Sequence, residues 1–431
     1  MILDKGWKKS GCIDLEASEM AARAALHRAG AKVLTGFLER SVPDRRQIPC
    51  KCGGVANYVE MRTKTILMVV GEVEVLRAYY LCSDCHKGQS PFDHELGVER
   101  CEASPGVRRM AATVASESAF AIAHEHIGLL AGLKLTAKAI ERYSEAIGAD
   151  IGRREDEYAR AVMGVKPPAV KSEPIQTMYI EVDATGVPVV SKDTQGRQGK
   201  VPGEPARKRD AKLGCVFTQT TFDEDNRPIR DEGSTTYVGG ILTAEEFGPR
   251  IYSEAHRRGL AFADRVVALG DGAIWIWALV ALHFPNAIQI VDLYHAKKHL
   301  WDLSAILFPN LKDRARWISK VQHKLDTGRI ESLVAHLRRF STTDDIAIKA
   351  LRIEAEYFER NASRMRYAEF KRQGLFVGSG VIEAGCKTLI GSRLKKSGMF
   401  WTVRGANSVI ELRCSVRSNK FEDYWAGRRA A

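Results

Sequence analysis

The sequence predicts an α/β protein made of several structural units, and three observations lead to that prediction. The chain has 431 residues, more than one hydrophobic core usually organises. In its second half, short apolar runs typical of buried strands alternate with helix-forming segments. Five of its nine cysteines fall between Cys50 and Cys101, and such clustering favours a metal site over disulfides. We therefore expect a folded, multidomain chain.

Charge and hydropathy restrict the partners of this chain. It carries 65 basic and 53 acidic residues, a net charge of +12, which favours a polyanion as partner. The longest strictly apolar run, Ala273 to Leu282, is too short to span a bilayer as a helix. No apolar stretch follows the basic N-terminus, so a secretory signal is not expected. We predict a cytoplasmic protein that binds a polyanion and does not bind a membrane.

Residues 1–46 are predicted to form an N-terminal helical segment. The stretch after Asp14 is rich in helix formers, and either Asp14 or Ser18 can serve as its N-cap. The helix is expected to end before Ser41-Val-Pro43.

Residues 47–104 are predicted to form a zinc ribbon. Two β-branched or aromatic runs meet at Gly71 and indicate a hairpin, with one pair of cysteines before it and one pair after it. Four thiolates suit a structural Zn²⁺. The tight C-x-C spacing of the first pair leaves open that His86 or His94 replaces one cysteine, and ordinary reduced thiols are the alternative. The predicted zinc ligands are Cys50, Cys52, Cys82 and Cys85.

Residues 105–168 are predicted to be helical and to resemble a helix-turn-helix. Apolar residues at helical spacing lead to a turn at Gly132, and Thr136 can cap a second helix. In that geometry Lys138 and Arg142 would enter the major groove. A helical hairpin without a role in DNA binding fits the same pattern.

Three acidic residues in the second half are candidates for metal-dependent chemistry. Asp183 and Asp271 each follow an apolar strand candidate, and Glu383 begins a predicted helix. Clustered carboxylates repel one another, and hard divalent cations such as Mg²⁺ neutralise them. Two such ions can activate a water or a 3′-hydroxyl for phosphodiester chemistry. Taken singly, each acid could instead cap a helix or sit in a turn.

Five separated blocks of the second half have a distinctive sequence. They are Met178-Tyr-Ile-Glu-Val-Asp-Ala-Thr-Gly-Val-Pro, Leu269-Gly-Asp-Gly-Ala-x-Trp-Ile-Trp, Val291-Asp-Leu-Tyr-His-Ala-Lys-Lys-His-Leu, Gly378-Ser-Gly-Val-Ile-Glu-Ala-Gly-Cys-Lys and Leu394-Lys-Lys-Ser-Gly-Met-Phe-Trp-Thr-x-Arg-Gly-Ala-Asn. In this order they resemble bacterial insertion-sequence transposases of the Kra-four family. The front end, with Cys-x-Cys-Gly and Arg77-Ala-Tyr-Tyr-x-Cys-x-x-Cys, is similar to these proteins as well.

The resemblance implies a ribonuclease-H-like catalytic domain with an Asp-Asp-Glu triad of Asp183, Asp271 and Glu383 that holds two Mg²⁺ ions. We place the catalytic core at residues 169–300 and 373–431. The 112 residues from Asp271 to Glu383 exceed what such a core needs, so residues 301–372 are predicted to be a helical insertion. His295, in an Asp-x-x-His signature, would orient a phosphate or a flanking strand. A buried, hydrogen-bonded histidine is the alternative.

A basic strip without acidic residues follows Glu383 and is predicted to hold DNA near the metals. Its predicted DNA-binding residues are Lys387, Arg393, Lys395, Lys396, Trp401 and Arg404. The function expected from the resemblance is transposition: binding of terminal inverted repeats, strand cleavage and strand transfer into target DNA, by a homo-oligomer. The alternatives are a non-catalytic DNA-binding regulator, a decayed transposase, and a structure-specific nuclease.

Overall fold

The computed structural model describes residues 13–199 and 204–429. They form two compact units, Met1–Ser144 and Glu145–Ala431. The boundary between the units falls inside one long helix, α5 (Ala137–Val162). Among the described helices, none is both long and apolar enough to cross a membrane.

The first unit combines one antiparallel sheet with a set of helices. Its elements, which lead into α5, are α1 (Leu15–Phe37), β1 (Gln47–Pro49), β2 (Val55–Met68), β3 (Gly71–Cys82), β4 (Gly88–Gln89), α2 (Pro91–Glu95), α3 (Pro105–Glu117) and α4 (Phe120–His126).

The hairpin predicted between the cysteine pairs is confirmed. Strands β2 and β3 pair antiparallel, with Met68 opposite Gly71 at the turn. Gly71 has φ +105°, in the left-handed region that glycine adopts without strain. The turn therefore needs this glycine. The two strands on either side of it connect the two cysteine pairs.

The helical part of the first unit begins and ends at residues that suit helix termini. Asp14 caps α1, since its Oδ1 accepts the Ala17 amide at 3.2 Å. Helix α4 continues as one π-helical turn, Ile127–Ala131, and Gly132 (φ +66°) ends it. Thr136 Oγ1 accepts the Ala139 amide at 3.1 Å, which confirms the predicted cap. The two helices and their turn are present, and their role in DNA binding stays a prediction.

The second unit holds a mixed sheet and many helices. Its strands are β5 (Ile175–Pro188), β6 (Lys208–Gln219), β7 (Thr221–Phe222), β8 (Pro228–Ile229), β9 (Thr236–Gly240), β10 (Ala263–Gly270) and β11 (Ile288–Val291). Its helices after α5 are α6 (Ala244–Arg257), α7 (Ile274–His283), α8 (Leu293–Leu307), α9 (Leu311–Asp326), α10 (Ile330–Arg338), α11 (Asp345–Arg360), α12 (Tyr367–Arg372), α13 (Gly380–Gly385), α14 (Ser392–Leu394), α15 (Val403–Arg417) and α16 (Phe421–Arg429).

The main sheet of the second unit has the order β11-β10-β5-β6-β9. Strand β6 runs antiparallel to both neighbours, while β10 is parallel to β5 and to β11. Strand β6 therefore runs opposite to the other four strands of this sheet. The middle of β5, Met178–Val182, is buried at every position, as expected for a strand covered on both faces. The three predicted strands are confirmed.

Helices alone occupy the long connection between β11 and α13. The chain runs through α8 to α12, from Leu293 to Arg372, with no strand among the residues described there. Helix begins before the predicted boundary at residue 301 because Asp292 caps α8, its Oδ1 accepting the His295 amide.

Candidate functional site

Two of the three predicted acids lie near the same end of neighbouring parallel strands, Asp183 within β5 and Asp271 one residue after β10. Leu269 of β10 is opposite Glu181 of β5, two residues before each aspartate, and the Asp271 carboxylate raises the pKa of Asp183, so the two groups are near neighbours. We predicted that each aspartate ends its strand. That holds for Asp271, but β5 continues to Pro188, and Asp183 lies within it, opposite Leu213 of β6. Asp183 instead marks the position along β5 where the neighbouring strand β10 stops.

The third acid, Glu383, reaches this edge on helix α13. The amide of Ile382, one residue before it, donates to Glu181 Oε2 at 2.8 Å. Glu181 lies two residues before Asp183 on β5 and is fully buried, and that burial raises its pKa to about 8. Helix α13 is thus attached to the strand that carries Asp183. Glu181 was not among the predicted site residues, although it lies inside the Ile-Glu-Val-Asp block.

Burial and neighbouring groups together shift the pKa of Asp183. Burial raises the pKa of Asp183, and the Asp271 carboxylate raises it further. The Ala184 amide, the Cys386 thiol and His295 act in the opposite direction and lower that pKa. The ordinary preference of a carboxyl group for ionisation is therefore weakened here. A cation placed between the two aspartates would restore that preference.

The three acids do not form a compact single-ion cage. Among the described residues, the four cysteines of the first unit have ligand atoms that all lie within 4.8 Å of one another. The three acids do not form such a set. Ligands that share two ions about 3.5–4 Å apart can lie farther from each other than the ligands of one ion.

Asp292 connects three elements next to these acids. It follows β11, caps α8, and its Oδ2 accepts the Ser379 amide just before α13. Its backbone amide donates to the Gly270 carbonyl at 2.8 Å. Asp292 is buried, so it acts as a structural anchor that brings α8 and α13 to the end of β10.

His295 and His299 lie on one face of α8, with ring centroids 5.1 Å apart. His295 is half-buried and lowers the pKa of Asp183, so it belongs to the electrostatic environment of the acids. His299 Nδ1 lies 2.8 Å from Glu354 Oε2 of α11. The role predicted for His295 toward a phosphate is not tested by this geometry.

Helix α11, in the connection between β11 and α13, contacts the Asp271 loop directly. The Tyr357 hydroxyl on α11 donates to the Asp271 carbonyl at 3.1 Å, and its ring stacks on His299 at 4.0 Å. Gly272 follows with φ +87°, and a Cβ there would lie 2.7 Å from the Tyr357 hydroxyl. Both the conformation and the close approach require glycine. The glycine after Asp271 was the one sequence signal that pointed to this contact.

The basic strip after Glu383 divides into exposed and buried residues. Lys387 lies 4.0 Å from the Glu383 carboxylate, and Lys395 donates to Thr185 of β5, two residues beyond Asp183. These two lysines therefore border the acids. The exposed members of the strip are Lys387, Lys395, Lys396 and Arg404, and Phe400 is exposed among them.

Two predicted DNA contacts are wrong because their side chains are buried. Arg393 is completely buried, with its guanidinium over the Trp401 ring at 5.2 Å. Trp401 is buried, its Nε1 donates to the Leu394 carbonyl at 3.1 Å, and its backbone pairs with the end of β5 at Pro188 and Val190. Both residues hold the strip against the sheet and are not accessible to DNA.

The other predicted DNA contacts lie at the start of α5. Lys138 and Arg142 are exposed. Lys138 pairs with Glu141 at 3.0 Å, and Arg142 lies over the Tyr143 ring at 5.3 Å. Their exposure is compatible with a phosphate or base contact, which this geometry does not test.

The four predicted zinc ligands converge in the first unit. Cys50 and Cys85 Sγ lie 3.6 Å apart, as do Cys52 and Cys82 Sγ. Neither His86 nor His94 belongs to this set, so the alternative of a histidine ligand is not supported.

Backbone turns present the sulfurs of this cluster. The Gly53 amide donates to the Cys50 carbonyl, and the His86 amide to the Cys82 carbonyl. The amide of Cys85 lowers the pKa of the Cys82 thiol, to about 7, which favours the thiolate form that binds metals.

Comparison with known proteins finds one distant relative. No protein-family model matches the chain. The UPF0236 protein in the vanSb 3′ region of Streptococcus gallolyticus is 22% identical over 382 residues, which cover 86% of this chain and 76% of that protein. The Drosophila P element transposase strand transfer complex is 9% identical, covering 79% of this chain and 84% of the other, with a TM-score of 0.25. That score is too low to carry an argument about fold. The chain is weakly similar to a UPF0236 protein, and the resemblance to the Kra-four family stays a prediction.

Proposed function

We propose that this chain is a DNA transposase of a bacterial insertion sequence, with Asp183, Asp271 and Glu383 as an Asp-Asp-Glu triad. The observation that supports the proposal is the register of β5 and β10, in which Leu269 pairs with Glu181 two residues before Asp271 and Asp183, together with the rise that the Asp271 carboxylate causes in the pKa of Asp183. The contact between Ile382 and Glu181 brings the helix of Glu383 to the same strand. The mixed sheet, with β6 alone reversed, is consistent with a ribonuclease-H-like core.

The acidic site fits two Mg²⁺ ions. Its donors are carboxylate oxygens, which hard divalent cations prefer, and the raised pKa of Asp183 reflects burial and repulsion from Asp271, which a cation relieves. When bound, the ions would activate a water or a 3′-hydroxyl and stabilise the leaving oxygen. Asp183 and Asp271 would hold them, and Glu383 would complete the second site.

The remaining residues of the site would position DNA. Lys387 and Lys395 border the acids and would neutralise backbone phosphates there, with Lys396 and Arg404 extending the contact along the strip. His295, half-buried beside the aspartates, would orient a phosphate. In the first unit, Lys138 and Arg142 would contribute to recognition of the inverted repeats.

The cysteine cluster fits a structural Zn²⁺. A regular tetrahedron with Zn–S bonds of about 2.3 Å has sulfurs about 3.8 Å apart, and the two measured pairs are 3.6 Å apart. Four protein ligands leave no open position, so the ion would stabilise the first unit without taking part in catalysis. We further propose that the protein acts in the cytoplasm, as a homo-oligomer that holds two double-stranded element ends.

The test supplies labelled element ends and target DNA with Mg²⁺. The wild-type chain is expected to cut the ends and join them to the target. Asp183→Asn should lower both rates by about a thousandfold, roughly 4 kcal/mol of transition-state stabilisation, while DNA affinity stays unchanged. Asp302→Asn, an exposed acid on α8 paired with Lys298, is the matched control and should retain activity.

A second readout follows the metal without requiring activity. Mg²⁺ should raise the melting temperature of the wild-type chain and of Asp302→Asn, but not that of Asp183→Asn, because the variant has lost a ligand. Cutting without joining would assign the chain to the nucleases, and binding without cutting would assign it to the non-catalytic DNA-binding proteins. Loss of folding in Asp183→Asn would make that residue structural and contradict its assigned role.

A further inference from the structure

Helix α1 has an apolar outer face that nothing in the described part of the chain covers. Its large residues there are strongly exposed: Leu15 by 68%, Leu26 by 72%, Val33 by 70% and Phe37 by 77%. The opposite side of the helix packs, through residues such as Leu34, against the core of the hairpin. One side of α1 is therefore used by the fold and the other is free.

The exposed residues are spaced as in a coiled coil. Leu15, Ala22, Leu26, Ala29 and Val33 are separated by seven, four, three and four positions, and all five are exposed. That spacing forms one continuous seam on a helix, and small residues within it allow a second helix to approach closely. The helix has 23 residues and is about 35 Å long, enough for a short two-stranded contact.

The charges on α1 identify the partner and its direction. Glu16 and Glu19 lie in the N-terminal turns, and Arg28 and Lys32 lie toward the C-terminal end. A parallel copy would place like charges beside each other. An antiparallel copy would place the acidic end of each helix beside the basic end of the other, which is favourable.

We propose that α1 pairs antiparallel with α1 of a second copy of this chain. Leu26 lies midway between Leu15 and Phe37 in the sequence, so Leu26 would meet Leu26 of the second copy, and Leu15 would meet Phe37. Arg23 donates to the carbonyls of Leu129 and Leu130, whose side chains are 63% and 73% exposed. These two leucines widen the apolar surface beside the helix. The contact does not depend on the proposed chemistry and would form without DNA.

The first test is sedimentation equilibrium of the full chain without DNA. At about 10 µM the wild-type chain should be a dimer, and the double variant Leu26→Glu/Val33→Glu should be a monomer, with self-affinity weakened at least about tenfold. Leu282→Glu, at a 75% exposed leucine of α7 in the second unit, is the control and should remain dimeric. Because the changed side chains are exposed, thermal melts should show that all variants fold.

The second test reads the direction of pairing by oxidative cross-linking, with the wild-type chain as the baseline. Leu26→Cys should cross-link to itself. Leu15→Cys and Phe37→Cys should each fail to do so alone, but should cross-link to one another when mixed. Self-linking of Leu15→Cys alone would indicate a parallel pair and overturn the proposal.

Three other outcomes would also overturn it. A monomeric wild-type chain, or a dimer that persists in Leu26→Glu/Val33→Glu, removes the second copy as the occupant of this face. Dimerisation that appears only after deletion of residues 2–12 would assign the face to that segment of the same chain. Binding of the monomer to anionic lipid vesicles, lost in the double variant, would assign the face to a membrane surface.

Discussion

The cysteine cluster of the first unit and the acidic site of the second unit differ in how their ligands are brought together. The cysteines come from two turns that flank one hairpin, between Cys50 and Cys85. The acids come from two strands and a helix spread from Asp183 to Glu383. The first site depends on local chain geometry, and the second depends on the packing of a sheet, a helix and a helical insertion.

The two sites also differ in compactness and in charge. The four sulfurs lie within 4.8 Å of one another, which suits one soft ion that completes its coordination with protein ligands. The acids are more widely spread, carry a raised pKa at Asp183 and have exposed lysines beside them. A closed site stabilises a fold, whereas an open, charged site can admit a substrate. Three substitutions test this difference.

The largest effect is expected for Cys82→Ser. Losing one of four thiolates should abolish stoichiometric zinc binding and remove a binding free energy on the order of 10 kcal/mol from the folded first unit. Zinc content after dialysis and the melting temperature measure this change. Cys101→Ser, in the same unit but outside the cluster, is the control and should keep its zinc. Full zinc occupancy in Cys82→Ser would contradict the assignment of the cluster.

Glu254→Gln should cost about 3 kcal/mol of unfolding free energy, because it breaks a buried ion pair. Glu254 is fully buried; burial alone would raise its pKa, but Lys420 and Arg257 hold that pKa below its usual 4.5. The Glu254 carboxylate is paired with the side chains of Arg257 and Lys420, whereas the nearby Asp271 carboxylate raises the pKa of Asp183.

The pH dependence of this loss follows from the lowered pKa. The stabilising contribution of Glu254 is fully present above pH 4.5 and is lost as the pH falls through the lower folded-state pKa. Urea unfolding should therefore show a larger difference between variant and wild type at pH 7 than at pH 3. Glu224→Gln, an exposed acid between β7 and β8, should change stability little. A difference that grows toward acidic pH would refute the assigned ion pair.

The smallest effect is expected for Tyr357→Phe, which removes the hydrogen bond to the Asp271 carbonyl but keeps the ring on His299. Looser positioning of Asp271 should slow strand cleavage about tenfold, near 1.4 kcal/mol, with about 1 kcal/mol lost in stability. The matched control is Tyr367→Phe, since that buried hydroxyl has no hydrogen-bond partner among the described residues. Equal rates for both variants and the wild type would mean that the insertion does not position the site.

Much of the fold could be predicted from local patterns. Runs of β-branched and aromatic residues that meet at Gly71 predicted the hairpin, and short apolar runs predicted the strands that became β5, β10 and β11. Thr136 and Asp14 matched the chemistry of helix caps. The cysteine pairs could be placed together because a predicted hairpin separates them and brings its two ends together, so a short stretch of sequence was sufficient.

Burial over long sequence distances could not be predicted in the same way. Arg393 and Trp401 belong to a basic, aromatic strip that favours a DNA surface, yet the backbone of Trp401 pairs with the end of β5, and both side chains are buried. The extension of β5 beyond Asp183 depends on pairing with β6, which the sequence of β5 alone does not encode.

By itself, the sequence determined which acids and cysteines are candidate ligands, most of the strands and helices that carry them, and the net charge that favours a polyanion. The tertiary structure alone decided that Asp183 and Asp271 are near neighbours, that Tyr357 of α11 holds the Asp271 loop, and that Lys395 rather than Arg393 borders the acids. The reason is physical: propensities and caps act over a few residues, whereas burial and charge coupling depend on elements that meet only when the whole unit packs.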